Sequence, residues 1–107
     1  MFDAETIAMK PQIDPIVTEA LKELSPWVRH IRYEVRPDWD GDPAVFFRVV
    51  LSDKASRSKA NRLSAMARVR DRICRRIFVP DLGLYPRFNF RSESEQAKMK
   101  DPAWAAN

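Results

Sequence analysis

One cysteine, one histidine and two glycines are all that this 107-residue chain holds of three versatile residue types. Cys74 alone permits no internal disulfide and no paired-cysteine metal site, so a reducing compartment is expected. His30 is the sole imidazole, and Glu34 and Arg32 are its neighbours on one strand face while Cys74 belongs to a helix; no nucleophile, base and orienting acid assemble around it. Long apolar runs are missing as well. Inside the domain the longest, Ala44–Phe47, falls far short of the roughly 20 residues a membrane span needs. The opening Met1-Phe2-Asp3-Ala4-Glu5 is acidic where a secretory signal is basic. These absences point to a cytoplasmic protein with no membrane partner and no cofactor.

The chain does hold enough to fold. Its hydrophobic fraction of 45% is that of an ordinary globular domain, and its length suits one domain. A chain this size buries roughly two-thirds of its unfolded surface without metals or disulfides. The net charge of +4 is unevenly spread. Residues 54–76 carry Lys54, Arg57, Lys59, Arg62, Arg68, Arg70, Arg72, Arg75 and Arg76 against the single acid Asp71. Such a segment either meets an anionic partner or matches acidic groups elsewhere in the chain.

Residues 1–11 show little periodicity and read as a flexible N-terminal arm, followed by one α+β domain over 12–92 and a polar C-terminal tail over 93–107. Asp14 as N-cap and Pro15 at the first helical position start a helix. Ile13, Ile16, Val17, Ala20, Leu21 and Leu24 form its apolar stripe, and Ser25-Pro26 ends it. Residues 28–36 then alternate, with Ile31, Tyr33 and Val35 on one side and His30, Arg32, Glu34 and Arg36 on the other. After the turn-forming stretch 37–43, Val45, Phe47, Val49 and Leu51 give a second inward row, making a hairpin. A helix is expected over about 56–78, burying Leu63, Met66, Ala67, Ile73, Cys74 and Ile77. Pro80-Asp81-Leu82-Gly83 breaks it, and a third strand runs from Leu84 to Ser92.

The order α-β-β-α-β predicts a two-layer α+β fold, a three-stranded, largely antiparallel sheet with two helices packed on one face. The other face stays open. There Phe46, Arg48, Val50, Tyr85, Arg87, Asn89 and Arg91 make an apolar patch rimmed by arginines, and Trp104 in the tail adds an anchor. Such a face suits a protein partner or a second copy of the chain. The expected function is therefore a non-catalytic protein-interaction module. The Arg- and Ala-rich, glycine-poor composition resembles that of small bacterial partner proteins such as antitoxins or accessory subunits.

Nucleic acid is the alternative partner. Phe46 and Tyr85 can stack bases while Arg48, Arg87 and Arg91 hold phosphates, and Arg68, Arg72, Arg75 and Arg76 can track a backbone along the second helix. The topology resembles an RNA-recognition-motif domain without its first strand, which implies RNA contact through the sheet. The motif of that family is absent, since Tyr85-Pro86-Arg87-Phe88-Asn89-Phe90 does not match it, and two glycines are too few for a KH-type loop. Asp38, Asp40 and Asp42 resemble the start of an EF-hand loop, yet Pro43 stands at its glycine position and Val49 at its closing glutamate. Aspartate is a favoured turn residue, so a solvated turn with no metal is expected there. Cys74 falls on the buried stripe and reads as a small core residue.

Overall fold

A computed structural model describes residues 4–77 and 83–104. Three strands form an open sheet in the order β1 (Val28–Pro37), β2 (Pro43–Leu51), β3 (Tyr85–Ser92). β1 and β2 form an antiparallel hairpin ladder, and β3 joins the other edge of β2 in parallel. Helix α2 (Lys59–Ile77), between β2 and β3, supplies the crossover that a parallel neighbour needs. Helices α1 (Ala4–Leu24) and α2 pack on one face, giving the expected two-layer α+β fold. Among the described residues no helix is long and apolar enough to cross a membrane.

The core lies between the layers. Tyr33, Phe47 and Phe88 stand side by side across the three strands, with the Phe47 and Phe88 rings stacked at 5.2 Å between centroids. Ile13, Val17, Ala20 and Leu24 of α1 close over them, as the stripe predicts. The Tyr33 hydroxyl donates to the Asp14 carboxylate, and burial together with that neighbouring charge holds the phenol far above its ordinary range.

Helix α1 starts at Ala4, well before the expected start at Asp14-Pro15, and takes in most of the stretch expected as an arm. A tertiary contact accounts for the difference. Thr6 is buried, and its hydroxyl accepts from the Val35 amide at 2.9 Å and lies 3.3 Å from the Val35 carbonyl, to which it donates. Val35 is on the free edge of the sheet, so Thr6 satisfies edge groups that β2 does not reach. Pro11 and Pro15 sit four residues apart, both exposed, and the helix continues past the bonds they remove.

Helix α2 is also shifted in phase. Its buried row is Ala65, Val69, Ile73 and Ile77, while Leu63 is 53% exposed and Ala67 faces solvent. A row spaced by four stays on one face of the helix, and Leu63 falls outside that row. The Ser58 hydroxyl accepts from the Asn61 amide at 3.1 Å and starts the helix. The expected helix end at Phe78 and the break at Pro80-Asp81-Leu82 lie outside the described residues.

Of the segment expected as a polar tail, residues 93–104 are described, and they form a helix and a 3-10 turn. Helix α3 (Glu93–Met99) begins with a capping box: Ser92 accepts from the Glu95 amide at 3.1 Å, and the Glu95 carboxylate accepts from the Ser92 amide at 3.2 Å. Asp53, in the loop after β2, accepts from the Ser94 amide and hydroxyl at 3.0 and 2.8 Å. Lys100 then turns in the left-handed region at φ 50°, and a 3-10 turn over Pro102–Trp104 follows.

Candidate functional site

The face of the sheet turned away from α1 and α2 carries four cross-strand rows, set by the two registers. Arg36, Ala44 and Tyr85 form the first row, and Glu34, Phe46 and Arg87 the second. Arg32, Arg48 and Asn89 form the third, and His30, Val50 and Arg91 the fourth. Strand alternation brings all seven predicted sheet positions together here.

Two of them are not displayed. Phe46 is 6% exposed and Val50 2%, so the expected apolar patch is covered. The Arg36 guanidinium lies 3.7 Å from the Phe46 ring centroid, a cation–π contact that takes this ring out of stacking range for a base. Val50 sits in the fourth row, where the C-terminal segment crosses. Trp104 is folded back onto this row at 6% exposure, beneath the Arg91 guanidinium at 4.2 Å. An arginine is long enough to lie flat over a neighbouring ring, and alternation alone does not reveal that.

The exposed remainder is rich in guanidinium groups held by acids. Glu34 Oε1 accepts from Arg36 at 3.2 Å and from Arg48 at 3.1 Å. Arg87 pairs with Asp38 Oδ2 at 3.1 Å. Three of the four arginines in the first three rows, Arg36, Arg48 and Arg87, thus share two carboxylates, leaving an excess of positive charge on a fixed scaffold. Glu34 and Asp38 orient these arginines, whereas the sequence reading takes Asp38 as a turn residue and Glu34 as a strand neighbour of His30 and gives neither this role. Glu34 was visible as the one acid among the outward residues of β1, whereas the Asp38–Arg87 contact spans distant parts of the chain.

Asp38, Asp40 and Asp42 do bring carboxylate oxygens within 4.8 Å of one another. Asp38 Oδ1 accepts the amides of Asp40 and Asp42, each at 3.0 Å, which is the bonding of a tight turn. Burial works to raise the Asp38 pKa, but the Arg87 hydrogen bond and the two amides outweigh it and hold the carboxyl below its ordinary range. Gly41 takes φ +85°, a conformation that favours glycine. At the tip Trp39 stands 86% exposed.

On the helical side, Arg72 and Arg76 pair with Glu23 of α1 at 3.2 and 3.6 Å, and Arg75 pairs with Asp71 at 2.9 Å. Much of the basic helix is therefore matched within the chain, and Arg68 lines a cavity of about 210 Å³ with Leu24, Trp27 and Ser64. Cys74 is half-buried beside this helix surface; burial pushes its thiol up, with Arg70 opposing and Asp71 adding to the shift.

No protein-family model matches this chain, and no curated protein matches it in sequence.

Proposed function

We propose that this protein is a non-catalytic interaction module that holds a protein partner through the arginine rows of its sheet face. The observation that carries this reading is the shared bonding of three arginines, Arg36, Arg48 and Arg87, to Glu34 and Asp38 on one face of the sheet. A guanidinium is a planar fork that fits a carboxylate in two-point fashion. Arginines already held in one geometry lose less freedom on binding, so the surface favours an acidic partner segment. Arg48, Tyr85, Arg87 and Asn89 are the proposed contacts, with Phe46 and Val50 supporting them from beneath. The lone cysteine fits a reducing cytoplasm.

A single-stranded nucleic acid is the second reading, favoured by Tyr85, an exposed ring two residues from Arg87 on the same face. It requires affinity that falls steeply as salt rises.

The test is capture from native extract by the wild-type chain and by a variant carrying Arg48→Ala and Tyr85→Ala, each with and without nuclease. These substitutions leave the Asp38–Arg87 pair intact. A stoichiometric protein that survives nuclease and is lost with the variant supports the proposal. If bound material is equal for both chains, the face is not the interface. Loss of everything to nuclease transfers the face to nucleic acid.

A further inference from the structure

We infer that the notch between the end of α1 and the first turns of α2 is a binding site for a small aromatic carboxylate, its ring against Trp27 and its acid on the Arg68 guanidinium. The site lies on the helical layer, apart from the sheet face, and goes beyond the interaction reading.

Helical spacing builds one wall. Asn61, Ser64 and Arg68 stand at i, i+3 and i+7 of α2, so they share one side of it, and Ser64 and Arg68 are neighbours one turn apart. The facing wall is the corner after α1. There the Trp27 amide donates to the Leu24 carbonyl and the Trp27 carbonyl accepts from the Ser52 amide, both at 2.8 Å, which fixes the backbone that carries the indole. Leu24, Val28 and Ala65, all buried, form an apolar floor between the walls. The space they line measures about 210 Å³.

Arg68 stands apart from the other arginines of α2. Arg62 pairs with Glu95, Arg72 and Arg76 with Glu23, and Arg75 with Asp71, while Arg70 lies 5.3 Å from the Phe90 ring centroid. Among the described residues Arg68 has no ion pair, hydrogen bond or ring contact, and the Asn61 and Ser64 side chains make no hydrogen bond. An adjoining cavity of about 330 Å³ shares Leu24, Ser64 and Arg68 and contains two acids, Glu23 and Asp71; the arginines just named hold both. The Lys54 ammonium, 5.6 Å from the centre of the Trp27 ring, adds a second positive charge beside the indole.

These groups define the ligand. A guanidinium fork takes a carboxylate at two points, and the Ser64 hydroxyl can donate to the same anion. An exposed ion pair is worth little alone in water, so affinity must come from the ring. Trp27 is the one aromatic among the lining residues and is 38% exposed; an aromatic guest packs on its indole and covers the floor. A cavity of roughly 150 Å³ accepts benzene, so this one has room for a single ring with its carboxylate and too little for a folded segment of another chain.

The probes are benzoate and phenylacetate, titrated into the full chain labelled with 5-fluorotryptophan and followed by fluorine NMR. Trp27→Phe identifies the Trp27 resonance. Either acid is expected to move that resonance saturably and to leave the resonance of Trp39, on the exposed hairpin tip, in place. Benzamide keeps the ring and acetate keeps the charge; each should bind at least about tenfold more weakly than benzoate, having lost one half of the recognition. Arg68→Gln should weaken benzoate by about tenfold or more, with Arg68→Lys between it and wild type, since lysine keeps the charge without the fork. Arg68 is exposed, so both variants should retain native circular dichroism. No saturable movement of the Trp27 resonance up to about 10 mM of either acid overturns the site. Benzamide binding as tightly as benzoate, or unchanged affinity in Arg68→Gln, overturns it as well. The Arg48→Ala and Tyr85→Ala capture experiment touches none of these residues, so the two proposals fail separately.

Discussion

The Asp38 carboxylate, fully buried as a side chain, holds the Arg87 guanidinium at 3.1 Å across 49 positions of sequence while closing its own turn with two amides. One residue therefore shapes the hairpin tip and orients an arginine of the candidate face.

Because folding lowers the Asp38 pKa below its ordinary 3.8, the ionised carboxylate favours the folded state at neutral pH. That contribution is lost as pH falls below about 4 and through the depressed folded value. Asp38→Asn keeps an oxygen for the turn but gives up the ion pair; Asp38→Ala gives up both. Denaturation at pH 7 should rank wild type above Asp38→Asn above Asp38→Ala. The gap between wild type and Asp38→Asn should close in acid, and a gap that stays constant to pH 2.5 would sink this account.

Thr6→Val keeps the shape of the side chain and removes the hydroxyl that serves both polar groups of Val35. Leaving a buried amide without a partner costs about 1–3 kcal/mol. The expected result is a lower denaturation midpoint together with faster hydrogen exchange at the Val35 amide. Unchanged exchange there would mean that α1 does not seal the edge.

The phase of α2 can be checked with two single substitutions. Leu63→Gln, at an exposed site, should change stability by no more than about 0.5 kcal/mol. Ile73→Ala, at a site with no exposure, should cost about 2–5 kcal/mol. Urea titration of both variants decides it, and a costly Leu63→Gln would restore the stripe read from sequence.

Cys74 should react slowly. Burial raises its pKa, and only the thiolate is nucleophilic, so alkylation by iodoacetamide at pH 8 should lag behind that of a free thiol and gain more on going to pH 10. Reaction at the rate of glutathione would place the thiol on the surface.

Much of the site was legible because strand alternation is a strict rule. Once β1, β2 and β3 were located, every residue of the sheet face followed from period two, from His30 to Arg91. Exposure did not follow. Phe46 and Val50 occupy outward positions yet are covered, by an arginine two strand positions from Glu34 and by a turn some fifty residues further along the chain. The missed start of α1 has a similar origin. Its first turns show no apolar stripe, and Thr6 is held there by a hydrogen bond to β1 rather than by helical periodicity.

The sequence by itself determined the two long helices and three strands, their order, the two-layer arrangement and the side of each strand that faces the helices, since these depend on periodicity and on local turn chemistry. Tertiary structure alone decided the parallel addition of β3, the pairing of Glu23 with the basic helix, the grip of Asp38 on Arg87 and the seating of Trp104 on its own sheet. Each of these joins residues far apart in the chain. Local propensity carries no information about such contacts, because their geometry exists only after the layers have packed.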